Sequence, residues 1–238
     1  MFSNWYNRSM PIRKRLYRGW RTYRRLLIAL FVANLVALFL FATRSVSVQS
    51  NRYWFIVWNL LLAWLPLLLM VWLRYRLQTT KTLGWQNFVL FLLWLGFLPN
   101  SFYMATDLIH LHATGEVSLL YDVVMFCSFI FCAFTVGFMS VYIMHKELIR
   151  QISSRAASLV IGLIFLACSY AIYLGRSLRW NSWDILINPA GLLFDLSDQI
   201  INPAARSHLF VTTATFFLLL TSMYVVIWEL AHIVEDNH

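Results

Sequence analysis

The chain has 238 residues, of which 61% are hydrophobic and 12% charged. Soluble domains carry about 25% charged residues, so this composition excludes an ordinary water-soluble globule and points to a bilayer. The formal net charge of +9 would suit a nucleic-acid partner, but eight of the 19 basic residues precede residue 26, directly against an apolar run. No nucleic acid is expected.

Residues 1–25 read as a basic cytoplasmic arm. Lys14, Arg18, Arg21 and Arg25 recur at helical spacing, and Leu16, Trp20, Tyr23 and Leu27 form a second stripe about 200° away. A helix divided in this way is expected to lie on the inner leaflet, rings inserted and cations toward anionic lipid.

A bilayer core takes about 20 apolar residues in helical form. Residues 26–42, 53–73, 83–98, 117–144, 156–174 and 209–230 meet or approach that length, which predicts an all-α bundle of six spans. The first span follows basic residues as a signal peptide does. Its flank Phe41-Ala42-Thr43-Arg44-Ser45 lacks a small-x-small cleavage pattern, so a retained anchor is expected. Pro66 is expected to kink the second span and Pro99 to bend or end the third.

Lys and Arg set the orientation. The arm, residues 74–81 and residues 146–155 hold 14 of them, and the other side holds Arg44, Arg52, Arg176, Arg179 and Arg206. Both termini are therefore expected in the cytoplasm, with residues 231–238 as a tail. Asp107, Glu116, Asp122, Asp184, Asp195 and Asp198 all fall toward the outer face. Cys127, Cys132 and Cys168 sit in apolar runs and read as packing residues.

The outer polar groups are the candidates for chemistry. A short interfacial helix is expected after Pro99, started by Asn100 or Ser101 as cap. At 100° per residue Asn100, Tyr103, Asp107 and His110 would share a wedge of about 80°. Asp107 and His110, three apart, suit two ligands for one metal or a carboxylate orienting a basic imidazole. The same spacing suits an interfacial helix that shows its polar side to water. Asp122 lies inside the fourth span, where a carboxylate needs a cavity or a partner, and Arg176 or Arg179 is the expected partner.

Arg176 and Arg179 precede Trp180-Asn181-Ser182-Trp183-Asp184. Guanidinium forks beside interfacial tryptophans suit a phosphate or carboxylate, and equally an anchor at the headgroups. Between two Ile-Asn-Pro-Ala copies, at 187–190 and 201–204, a short amphipathic helix is expected, either an interfacial element or a lid. Glu229 and His232, also three apart, read as solvated residues of a fraying helix end.

The string Leu98-Pro99-Asn100-Ser101-Phe102-Tyr103, continuing to Thr106-Asp107-Leu108-Ile109-His110-Leu111, resembles the hallmark of an uncharacterised bacterial membrane family, domain of unknown function 1361. The run Arg179-Trp180-Asn181-Ser182-Trp183-Asp184 is similar to its second hallmark. The likeness spans about residues 27–230 and leaves out the basic arm. It implies a multi-pass protein of the bacterial inner membrane and supplies no reaction, substrate, metal or cofactor.

Three functional classes remain. A membrane-embedded enzyme would use Asp107, His110 and Asp122 for metal or acid–base chemistry on an envelope substrate. Asn100, Tyr103, Arg176, Arg179, Trp183 and Asp184 would hold that substrate. A scaffold would use the same face as an interface, and a transporter would line a path with Asp122.

Overall fold

In the computed structural model residues 12–79, 84–112, 117–177, 191 and 203–236 are described, and every regular element among them is helical. They are α1 (Ile12–Val48), α2 (Trp54–Thr79), α3 (Trp85–Tyr103), a 3-10 helix (Met104–His110), α4 (Leu119–Ile149), α5 (Ser154–Ser177) and α6 (Pro203–Asp236). Six helical segments are long and apolar enough to cross a bilayer, the third taking in both α3 and the 3-10 helix. The short amphipathic helix expected over residues 192–200, interfacial element or lid, lies outside the described residues.

The inward residues of α1 are Leu30, Asn34, Ala37, Phe41 and Arg44, and those of α2 are Ile56, Leu60, Ala63, Leu67 and Met70. Steps of four and three keep one face of each helix turned toward its neighbours. Central α4 is the most enclosed helix, whereas α6 turns most of its surface outward and packs chiefly on α5.

Between helices in lipid, hydrophobic expulsion is weak, so close packing and interhelical hydrogen bonds set the assembly. Phe102 of α3, Phe134 and Phe138 of α4, Phe165 of α5 and Tyr224 of α6 form one ring cluster, its nearest pair 5.0 Å apart between centroids. Gly137 admits α3 to α4, since a Cβ there would stand 2.7 Å from the Ser101 Cβ. Trp94 donates to the Ser140 hydroxyl at 2.7 Å, and Trp64 donates to Asn34 at 3.1 Å.

Pro66 lies inside α2, and Ser101 donates to the Ala63 carbonyl, in the turn that the proline perturbs, at 2.9 Å. Pro99 does not end its helix. Asn100 donates to the Phe97 carbonyl at 3.1 Å in the disturbed turn, and α3 runs on to Tyr103 before tightening. Neither Asn100 nor Ser101 is a helix cap, because both lie within α3.

The helices also overrun the apolar segments that announce them. α1 is one helix of 37 residues, so residues 12–25 run on into the first span without a break in the helix. At its far end Arg44 is still helical. Gln49 then takes a left-handed backbone (φ 52°), and the Ser50 N–H reaches back to the Ser45 carbonyl at 3.3 Å, which closes the helix.

At the opposite end α4 extends through Lys146 and Glu147, which sequence placed in a loop. Glu147 is buried, accepting from Arg150 at 2.7 Å and Gln78 at 3.3 Å and pairing with Arg74 at 3.0 Å. His145 stacks on Trp228 at 4.0 Å and bonds the Tyr224 hydroxyl through Nδ1 at 3.0 Å, tying α4 to α6.

Candidate functional site

The 3-10 helix builds the site. Its three residues per turn put Asp107 and His110 on one edge. Asp107 is 2% exposed, and Asn59 of α2 donates its Nδ2 to Oδ2 at 2.8 Å. His110, at the open end of the segment, is exposed and meets Phe55 edge-on at 5.4 Å. Arg176, in the last turn of α5, directs Nη1 to His110 Nε2 at 3.4 Å. The same guanidinium lies within electrostatic reach of Asp107. Beside this couple Arg52 Nη2 contacts His112 Nε2 at 2.6 Å. A guanidinium N–H donated to Nε2 leaves each imidazole its proton on Nδ1.

One rim therefore carries Arg52, His112, His110 and Arg176 around a buried carboxylate. Asn100 and Tyr103 are half-buried members of α3. Asn100 serves its own helix turn, and Tyr103 packs against the core. The four-residue wedge expected at 100° per residue is divided at Met104, where the helix tightens. Thr106 is buried and donates to the Tyr103 carbonyl at 2.7 Å.

Asp122 has a different partner from the one expected. Arg44 Nε donates to Oδ1 at 2.6 Å and Nη2 to Oδ2 at 3.3 Å, with both side chains at most 2% exposed. The reason is the extra length of α1, which carries Arg44 into the bundle, while Arg176 turns to His110. Arg44 also lies over the Tyr53 ring at 4.3 Å. Tyr53 meets Phe126 at 5.1 Å and Phe55 at 6.2 Å, both edge-on, and its buried hydroxyl has no hydrogen-bond partner among the described residues. Tyr121 contacts Thr43 and donates to the Leu40 carbonyl at 2.8 Å, which seals α1 to α4.

Arg179, Trp183 and Asp184 lie outside the described residues. Among the described residues no group of three or more His, Cys, Asp or Glu is placed to hold a metal ion. Sequence reasoning missed Asn59, Arg44, Arg52 and Phe55 as neighbours of the site. Asn59 carried a usable signal, being an amide inside an apolar span, where a polar group needs a partner.

Six apolar helices with buried polar pairs define a multi-pass membrane protein. A family model described as "Protein of unknown function (DUF1361)" matches residues 58–221, more than half of the chain, and the chain belongs to that family. Asn59, Asp107, His110, Asp122 and Arg176 fall within the matched residues, and Arg44, Arg52, Tyr53 and Phe55 precede them. No curated protein and no solved structure matches the chain.

Proposed function

We propose that this is a protein of the bacterial inner membrane, both termini cytoplasmic, whose outer rim binds an anionic group, phosphate or carboxylate, of an envelope molecule. The observation that carries this reading is the Arg176–His110 contact above buried Asp107, assembled from α5 and the 3-10 helix. Guanidinium offers a planar fork of donors suited to such groups, and Asp107 below holds the fork's charge in place. Arg52 and His112 widen the basic rim; Arg179, Trp183 and Asp184, the other ligand-binding candidates of the sequence, lie outside the described residues. The basic arm, Lys14 to Arg25, contacts anionic lipid on the inner side.

Titration of dihexanoyl phosphatidic acid, and separately of inorganic phosphate, into the full chain in neutral detergent tests the reading. Binding should weaken about tenfold or more in Arg176→Gln, roughly 1.4 kcal/mol, and stay unchanged in Arg155→Gln at the opposite end. Binding of phosphatidic acid alone identifies a lipid-borne phosphate, and binding of both identifies recognition of the phosphate itself. Equal affinity of the wild type and Arg176→Gln removes the site.

An enzymatic reading has one observation in its favour. A buried carboxylate oriented by Asn59 sits one 3-10 turn before an exposed imidazole, an arrangement suited to proton transfer on a bound group. It requires Asp107→Asn and His110→Gln to abolish function in cells while the protein still inserts and accumulates. Full function of both variants removes it.

A further inference from the structure

Taking the rim as the binding site, we infer that the buried Arg44–Asp122 pair positions His110 through two intervening rings, so that an ion pair within the bundle sets the geometry of the rim. The contacts form a continuous series. Asp122 holds Arg44 through two hydrogen bonds, at 2.6 and 3.3 Å. Arg44 lies 4.3 Å from the Tyr53 ring centre. Tyr53 meets Phe55 at 6.2 Å and 79°, Phe55 meets His110 at 5.4 Å and 72°, and His110 meets Arg176 at 3.4 Å.

The series is confined on its flanks. Phe126 of α4 presses on Tyr53 edge-on at 5.1 Å, and Arg52 stands 6.0 Å from the same ring. Close-packed interiors shift between discrete arrangements and do not deform smoothly, so displacement of one ring is passed to the next. The Tyr53 hydroxyl sharpens the assignment. It is buried and has no hydrogen-bond partner among the described residues, so it is the ring face and edge that make this residue's contacts in the series.

Tyr53 and Asp122 are therefore positioning residues. A buried ion pair is no better for stability than well-packed apolar groups, and an ionisable group within a span is a mark of function. Here its consequence is the orientation of the exposed His110 imidazole at the end of the 3-10 helix.

The test is the spectrum of the histidine rings in full-length protein labelled with 13C,15N-histidine in detergent micelles. Tyr53→Phe should leave the His110 ring signals where they are. Tyr53→Leu and Asp122→Asn should move them by several line widths, with His145 at the opposite end unmoved. Tyr53→Leu decides the matter if Asp122→Asn fails to insert. An unmoved His110 in Tyr53→Leu overturns the inference, and so does an equal movement of His145, which would signal general loosening. Phosphatidic acid titrated into the same samples separates this inference from the rim reading. His110 moving in a protein that binds no phosphate removes the rim reading and leaves the coupling in place.

Discussion

Arg44 and Asp122 illustrate how much one pair decides at the scale of residues. Each charge is excluded from water and is stabilised there by the other. Removing Asp122 takes from buried Arg44 its carboxylate and two hydrogen bonds, so Asp122→Ala should cost about 3–5 kcal/mol. The double variant Arg44→Met, Asp122→Leu should recover most of that loss. Unfolding in mixed micelles with rising SDS measures both, and a double variant no more stable than Asp122→Ala contradicts the account. The need of Asp122 for a partner was legible in the sequence, because carboxylates in spans are rarely left alone. Its identity was not. Arg44 appeared to lie in a loop, since a hydropathy window ends where charge begins while the hydrogen-bonded helix continues to Val48.

Individual elements show the same limit from another side. The polar string after Pro99 was recognisable, and Asp107 and His110 do share an edge, but the pitch was not readable from residue spacing. Asn100 and Tyr103 remain in α3, and the tightening to three residues per turn starts at Met104. Close approach between helices also depends on single atoms. Gly137→Ala should destabilise by about 1–3 kcal/mol, because its Cβ would meet the fixed Ser101 Cβ and the Phe102 ring. Gly162→Ala, with no atom within 4 Å of the added Cβ, should be neutral or stabilising by up to about 1 kcal/mol. Thermal unfolding in one detergent ranks the two, and the reverse order contradicts the packing. Gln49→Gly should stabilise by about 1 kcal/mol by relieving a left-handed backbone that glycine adopts freely.

The whole molecule is where the sequence spoke most plainly. A long apolar run is a requirement of the bilayer itself, so six spans were countable before any packing was known. Which helices touch was not countable, because lipid-facing and helix-facing residues are equally apolar. Thus α1 packs more extensively on α4 than on its sequence neighbour α2, and is fastened there by Arg44 and Thr43. The distribution of Lys and Arg predicts a cytoplasmic turn between α4 and α5. A cysteine at Gln151, in the exposed turn between α4 and α5, should react with a membrane-impermeant maleimide in inside-out vesicles and be protected in spheroplasts. Cys127→Ala removes the exposed native thiol, and Cys132 and Cys168 are buried.

The most direct test of an outward anion site is the labelling of a cysteine at Ile109, which is 65% exposed beside His110. In spheroplasts carrying the Ile109→Cys, Cys127→Ala protein, the impermeant maleimide should label residue 109 rapidly. Dihexanoyl phosphatidic acid should slow that labelling several-fold, and the protection should disappear in Arg176→Gln. Labelling confined to inside-out vesicles, or labelling that the phosphate-bearing probe leaves unchanged, would contradict it.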